Sequence, residues 1–351
     1  MPDLSLDERR ARVAAYDFRG VHPNARFGTA SDRYAGWIGQ IYPEAYHAKI
    51  KTRRKRLDDD TYEERLLPVA SVRDYFEHFE VLELDFTFYR PLREEDGTPS
   101  NNLFVLEEYA GHAPATARFL LKAPQAFFAR TLRRSRGGRP VYEANPDFLN
   151  AAAYLRRFHE PAREVLGERL AGILFEQEYQ RQREGPDPME NIAALDGFFD
   201  ALPDDVPLHL ELRSPHLLIP PYFDWLAARG LGFVFSHWTW LPPIREQWQR
   251  CGGRFTAAGH SAVARLLTPL RVKYAEAYAL AHPFDRPVPE LSETPEARAM
   301  VLDATALVFQ AARQGVVLNL IANNRAWGNA PDLARAIAYR VLEEEERRRT
   351  G

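Results

Sequence analysis

The chain has 351 residues, 45% of them hydrophobic and 27% charged, and a formal net charge of −3. That composition excludes a disordered or collagen-like chain, and the near balance of charge excludes attachment to nucleic acid through a global basic field. The single cysteine, Cys251, excludes an intramolecular disulfide; with no signal-peptide pattern and no run of 18 apolar residues, a soluble cytoplasmic protein without a membrane contact is expected.

Taken in chain order, the first predicted strand is 26–31 (RFGTAS), followed by a charged insertion over 47–66. Within it "KIKTRRKRLDDD" (49–60) sets six basic residues against three aspartates, which reads as a solvated loop or helix face. Helical spacing at 71–79 leads into a second strand at 81–89 (VLELDFTFY) and a third at 117–124 (ARFLLKAP). A second basic insertion, 130–146, precedes a helix at 150–170 that is interrupted at Pro161. Strands at 171–178, 207–215, 231–238, 263–269 and 315–324 then alternate with helices at 191–202, 220–230, 244–253, 296–315 and 332–349. Eight strands alternating with helices predict parallel pairing through crossovers, and so a single (β/α)₈ barrel domain over 1–351; an open doubly wound sheet is the alternative. Both charged insertions fall in connections leaving strand C-termini, where a barrel carries its functional face, and together they could attract an anion.

The second strand is amphipathic in an unusual way. Leu82, Leu84, Phe86 and Phe88 share one side; Glu83, Asp85, Thr87 and Tyr89 share the other. Side chains alternate along a strand, so the first set is expected against the helices and the second in the lumen. Buried carboxylates need cations or donors nearby. Other strands offer further polar groups: His209, Glu211 and Arg213 by alternation, Lys122, His237 and Glu176 or Gln177 at strand ends, and Asn319 and Asn323 by parity. This set suits a polar binding site at the barrel mouth; the plainer reading is an ion-pair network that only holds the barrel together.

These residues also carry a resemblance. "RFGTAS", "GWIGQIYP" (36–43), "LELDFTFYRP" (82–91), "FLLKAP" (119–124), "LHLELR" (208–213) and "LNLIANNRAWGNAPDLA" (318–334) resemble, in order and spacing, the landmarks of the family known as domain of unknown function 72, or YecE-like, from about 26 to about 340. The resemblance implies a TIM-like barrel and no established activity. Glu83, Thr87, Phe88 and Tyr89 match its Glu-x-Asn-x-Thr-Phe-Tyr pattern, with Asp85 where Asn is usual. Lys122, Glu211, Arg213 and the pair Asn323–Asn324 match further motifs; Ser214 stands where a histidine often follows the arginine, and only Arg265 is kept of an Arg-x-His-Gly on the seventh strand.

Three chemistries are open. In the first, an enzyme (a lyase, isomerase or hydrolase) acts on a small polar or anionic substrate. Glu83 or Glu211 is its base, Lys122 and Arg213 hold an anion, and Asp85, Tyr89, His237, Asn323 and Asn324 bind substrate; Lys122 as a Schiff-base lysine is a variant of this. In the second, Glu83, Asp85, Glu211 and His237 hold a divalent metal, as in a metal-dependent isomerase or phosphodiesterase, against the repulsion of Lys122 and Arg213. In the third, the chain is a non-catalytic ligand or nucleic-acid binder working through its basic loops. No cofactor is expected: there is no GxGxxG, P-loop or GxSxG. "SHWTWLPP" (236–243) places Trp238 and Trp240 after the sixth strand, either as packing or as a stacking platform. The sequence sets no oligomeric state.

Overall fold

The computed structural model of the chain describes residues 4–57, 60–136, 139–183 and 185–350, with side chains for these except 133–136 and 139–140. Asp58 and Asp59, and most basic side chains of the 130–140 run, lie outside the described residues. Twelve strands are present among them: β1 (Ala25–Ala30), β2 (Lys51–Leu57), β3 (Asp60–Leu66), β4 (Val81–Leu84), β5 (Arg118–Lys122), β6 (Thr131–Arg136), β7 (Arg139–Ala144), β8 (Leu170–Glu176), β9 (Leu208–Glu211), β10 (Gly232–His237), β11 (Ser261–Leu266) and β12 (Val317–Ala322). Eight of these close a parallel barrel in the order β1-β12-β11-β10-β9-β8-β5-β4, with helices outside; the fold is a TIM-like (β/α)₈ barrel. Each of the eight strands read from the sequence is a strand of this barrel.

Alternation sorts the barrel's side chains into two cores. Leu82, Leu84, Phe119, Leu121, Phe175, Leu210, Phe233 and Phe235 are buried outward against the helices. Ala30, Val81, Leu120, Leu174, Val234, Val263 and Ile321 form a separate apolar layer inside the lumen. The lumen is therefore filled with hydrocarbon at mid-height, and polar chemistry is confined to its ends.

The charged insertions are two antiparallel hairpins, β2–β3 after β1 and β6–β7 after β5, so both leave the same end of the barrel. The first is a hairpin rather than the loop or helix face expected, because Arg53 and Lys55 pair across it with Glu64. The helix at 150–170 is not interrupted at Pro161. A π-helical stretch, Leu155–His159, runs straight into Glu160–Leu166, and its wider turn just before Pro161 lets the helix pass the residue that lacks an N–H. Among the described residues, three helices of eight or more residues were not anticipated: Leu6–Ala14, Asn101–His112 and Tyr274–Ala281. Among the described residues no helix is long and apolar enough to cross a membrane.

β4 departs from its expected length. It stops at Leu84; Asp85 turns into helical backbone and Phe86–Phe88 form a 3₁₀ turn. The alternation therefore ends before Phe88, whose ring lies 4.2 Å from the Lys122 ammonium instead of against the helices. Thr87 is buried by the same turn and donates its hydroxyl to the Lys122 carbonyl at 2.8 Å.

Candidate functional site at the barrel mouth

Above the apolar layer, six charged side chains from five strand ends meet. Arg265 of β11 holds Glu83 of β4 in a two-pronged pair, Nε–Oε2 2.8 Å and Nη2–Oε1 2.6 Å, and reaches Glu211 of β9 with Nη1 at 2.6 Å. Arg213, just past β9, donates to Glu211 at 3.1 Å and to Glu176 of β8 at 2.6 Å. Lys122, the last residue of β5, pairs with Glu176 at 2.5 Å. Ser236 of β10 donates its hydroxyl to the other Glu211 oxygen. Three carboxylates and three cations thus alternate as Glu83–Arg265–Glu211–Arg213–Glu176–Lys122, and their charges cancel.

Burial alone would raise the pKa of Glu176, but Arg213, Lys122 and Arg265 outweigh it and hold that carboxyl well below its ordinary value. Burial opposes ionisation of Glu211 too, and Arg213 and Arg265 again win. The Arg265 guanidinium, which burial penalises, is kept charged by Glu211, Glu83 and Glu176. Glu83 and Glu211 are sealed, at 0% and 1% exposure; Lys122 touches neither and joins the network only through Glu176.

Beside this network, on the β12–β1–β4 side of the mouth, is an open cavity of about 410 Å³. Asp85, Tyr89, Asn323 and Asn324 all line it, together with Asp32 and Arg325. His237 is elsewhere. It shares the side of β10 occupied by Phe233 and Phe235, its Nδ1 lies 2.9 Å from the Thr268 carbonyl, and burial pushes its pKa down to about 4. Ser236, one residue earlier, is the inward one.

Asp32 is placed by the turn after β1. Ser31 there has φ 67°, a left-handed conformation that costs a non-glycine residue about 1–2 kcal/mol. Asp32 is 1% exposed; its Oδ1 accepts from the Tyr109 hydroxyl at 2.7 Å, and its buried Oδ2 has no partner. Burial pushes its pKa up to about 6, against the opposing pulls of Tyr109 and Arg33. Asp85, nearby, accepts from the Ser31 hydroxyl at 3.0 Å.

The opposite wall follows β12. Asn323 caps the short 3₁₀ helix Asn324–Ala326, accepting from the Arg325 amide at 3.0 Å. Asn324 Oδ1 accepts from Trp37 Nε1 at 3.2 Å and from the Ala330 amide at 2.8 Å, which fixes the amide's orientation and leaves its buried Nδ2 without a partner. Arg325 stacks on Tyr274, 4.4 Å from the ring centroid, with its Nε buried and unpartnered and no ion pair to a described residue. Gly328 closes this loop at φ 98°; a Cβ there would stand 2.6 Å from the Arg286 carbonyl oxygen. Asp32, Arg265 and Arg325 had not been selected from the sequence as site residues. Asp32 and Arg325 sit within two residues of a strand end and of the Asn323–Asn324 pair, which was the available signal.

The four expected metal ligands do not converge. Arg265 stands between Glu83 and Glu211, Asp85 is in the cavity, and His237 faces outward. Among the described residues no group of three or more His, Cys, Asp or Glu is arranged to hold a metal ion.

A closed parallel barrel with its polar groups at the C-terminal mouth defines a protein of the (β/α)₈ class. Within that class the chain belongs to the family described as protein of unknown function DUF72, which it matches over residues 26–350. It is similar to the crystal structure of a DUF72 family protein from Thermotoga maritima, with 16% identity, a TM-score of 0.49, and coverage of 91% of this chain and 99% of that one. It is also similar to the spore cortex-lytic enzyme SleL of Bacillus cereus, with 11% identity, a TM-score of 0.41, and coverage of 96% and 84%. No curated protein matches the sequence.

Proposed function

We propose that the protein is an enzyme that performs general acid–base chemistry on a small polar, anionic substrate held in the mouth cavity. The observation that carries this reading is that Asp32, Asn324 and Arg325 line one cavity and each keeps a buried polar atom without a partner, namely Oδ2, Nδ2 and Nε. Buried polar groups of folded proteins are as a rule paired, so three unpartnered ones on residues around a single cavity suit a guest. Arg325 and Asn324 supply donors to its anionic group. Asp32, near pH 6 in its affinity for a proton, is the group suited to take and return one, while Asp85 accepts from substrate hydroxyls.

In this reading Glu83, Glu211 and Lys122 play a different part from the one their sequence positions suggested. Glu83 and Glu211 are sealed and matched by Arg265, so they act as a fixed frame of charge rather than as the exchanging base. Lys122, with Glu176, forms the floor beside the cavity, and Phe88 under its ammonium packs edge-on against Tyr89, 5.4 Å between centroids. Arg213 belongs to that floor.

The test is turnover of a mixed extract of small metabolites, followed by mass spectrometry. Wild-type protein is expected to consume at least one anionic metabolite, and Asp32→Asn to slow that loss by about 10²-fold or more. Arg325→Ala is expected to weaken it chiefly through KM. Indistinguishable profiles for the wild type and Asp32→Asn would overturn the proposal.

A further inference from the structure

Exposed aromatic side chains are concentrated at the mouth. Tyr89, Phe104, Tyr142, Tyr179, Trp240 and Tyr274 are the well-exposed aromatic residues among those described, and all but Phe104 lie on connections that leave the C-terminal ends of barrel strands. Large apolar faces left in water at one end of a fold mark a contact surface. Two groups are distinct. Tyr89 and Tyr274 border the cavity already described. Tyr179, after β8, and Trp240, after β10, form a second group on the other side of the barrel ring.

That second group is a continuous ledge. The rings of Tyr179 and Trp240 are 5.8 Å apart and inclined by only 31°, at 43% and 44% exposure. Trp238 stands 6.2 Å from Tyr179 and carries the Arg213 guanidinium 4.8 Å above its face. Arg213 is in turn fixed by Glu176 and Glu211, so the ledge is fastened to the charged floor. In the order of the barrel, β8–β9–β10 face β12–β1–β4 across the mouth. The floor between them is the Glu176–Lys122 pair, which leads through Phe88 to Tyr89 at the cavity's rim.

We propose that this ledge is a second subsite, and that the ligand is an acidic oligosaccharide lying across the mouth, with one sugar ring on Tyr179 and Trp240 and a carboxylate at Arg325. This rests on the anionic-substrate reading above and extends it. Aromatic faces of this kind stack on the C–H face of a sugar ring. The side chains between the ledge and Arg325 are the Glu176–Lys122 pair, Asp85, Tyr89, Asn323 and Asn324, whose donors and acceptors suit a ring bearing many hydroxyls. A nucleic acid would also stack, but its linked nucleotides offer few hydroxyls to Glu176, Asp85, Asn323 and Asn324, whereas every ring of an acidic oligosaccharide offers several.

The test uses binding, in the full chain carrying Asp32→Asn, so that it does not depend on turnover. Trigalacturonate, maltotriose and a four-nucleotide oligothymidylate are titrated by calorimetry and by tryptophan fluorescence. Trigalacturonate is expected to bind and quench fluorescence, and maltotriose to bind more weakly. Tyr179→Ala and Trp240→Ala, both at exposed positions, are each expected to weaken trigalacturonate by about tenfold or more with unchanged circular dichroism. Equal binding to the parent and to both ledge variants, no binding of trigalacturonate, or tighter binding of the oligothymidylate would overturn the subsite. If trigalacturonate binds and depends on the ledge while no metabolite is turned over, the acid–base reading fails and the ledge stands.

Discussion

A carboxyl group at 1% exposure, with one oxygen on Tyr109 and the other unpartnered, ionises only at a cost to the fold. Asp32 has a folded pKa of about 6 against an ordinary 3.8, so the folded state holds its proton more tightly than the unfolded chain. Stability therefore falls as pH rises from about 3.8 to about 6, and the penalty is fully present above that window. A shift of about two units corresponds to about 3 kcal/mol at pH 7 and about 1 kcal/mol at pH 4.5. Asp32→Asn keeps an oxygen for Tyr109 and cannot ionise. It is expected to be more stable than wild type by about 3 kcal/mol in urea denaturation at pH 7, with the gain shrinking toward pH 4.5. A gain that is absent at pH 7, or constant with pH, would show that burial does not hold the proton. Parity along a strand made Glu83 and Glu211 legible as inward residues. The same parity sets His237 with Phe233 and Phe235, on the helix side, so its outward direction was legible too. Asp32 was not legible, because it follows the strand and owes its direction to the left-handed turn at Ser31.

At the scale of elements, hydrophobic alternation found every barrel strand but not the first hairpin, whose alternation is in charge. Arg53 and Lys55 on β2 and Glu64 on β3 share its inner face, and the Tyr278 hydroxyl donates to Glu64 at 2.9 Å from the helix Tyr274–Ala281. Six cations in a short run read as a solvated surface when the partner strand is not known to fold back on them. Because this hairpin walls the cavity through Arg53, Lys55 and Glu64, its fastening bears on the site. Glu64→Gln removes the charge that gathers both cations and leaves them an uncharged amide oxygen, a weaker acceptor. Hydrogen exchange is expected to speed up across β2 and β3 while the amides of β1, β4 and β12 stay protected. Unchanged exchange in the hairpin would mean that backbone pairing, rather than Glu64, holds it down. The helix Asn101–His112 was missed for a related reason. Its buried positions Leu103, Leu106 and Tyr109 make a narrow stripe, and Tyr109 matters for its hydroxyl on Asp32 rather than for its packing.

For the molecule as a whole, the barrel was legible because each βα unit states its own alternation, and eight such statements agree. Which cation meets which carboxylate was not, since Arg265 and Glu83 are 182 residues apart and meet only when the ring closes. Arg265 stood out only as the one residue retained from an otherwise absent motif, yet it joins three of the barrel's strands. A buried network of this kind is costly to desolvate, and hydrocarbon of similar volume often serves stability as well or better. Its retention here is therefore explained better by the mouth it shapes than by the fold. Removing one member should be severe: Arg265→Met strands Glu83 without a cation and halves the pairing of Glu211, at an expected cost of about 3–5 kcal/mol in urea denaturation. Adding Glu83→Leu and Glu211→Leu to that variant removes the stranded charges, and stability is expected to return to near the wild-type value. Trigalacturonate binding should not return with it, because Arg213 and Glu176 lose the partners that fix them beside the ledge. A triple variant as unstable as Arg265→Met alone would mean that these charges are needed to close the barrel, and that they frame the fold rather than the ligand.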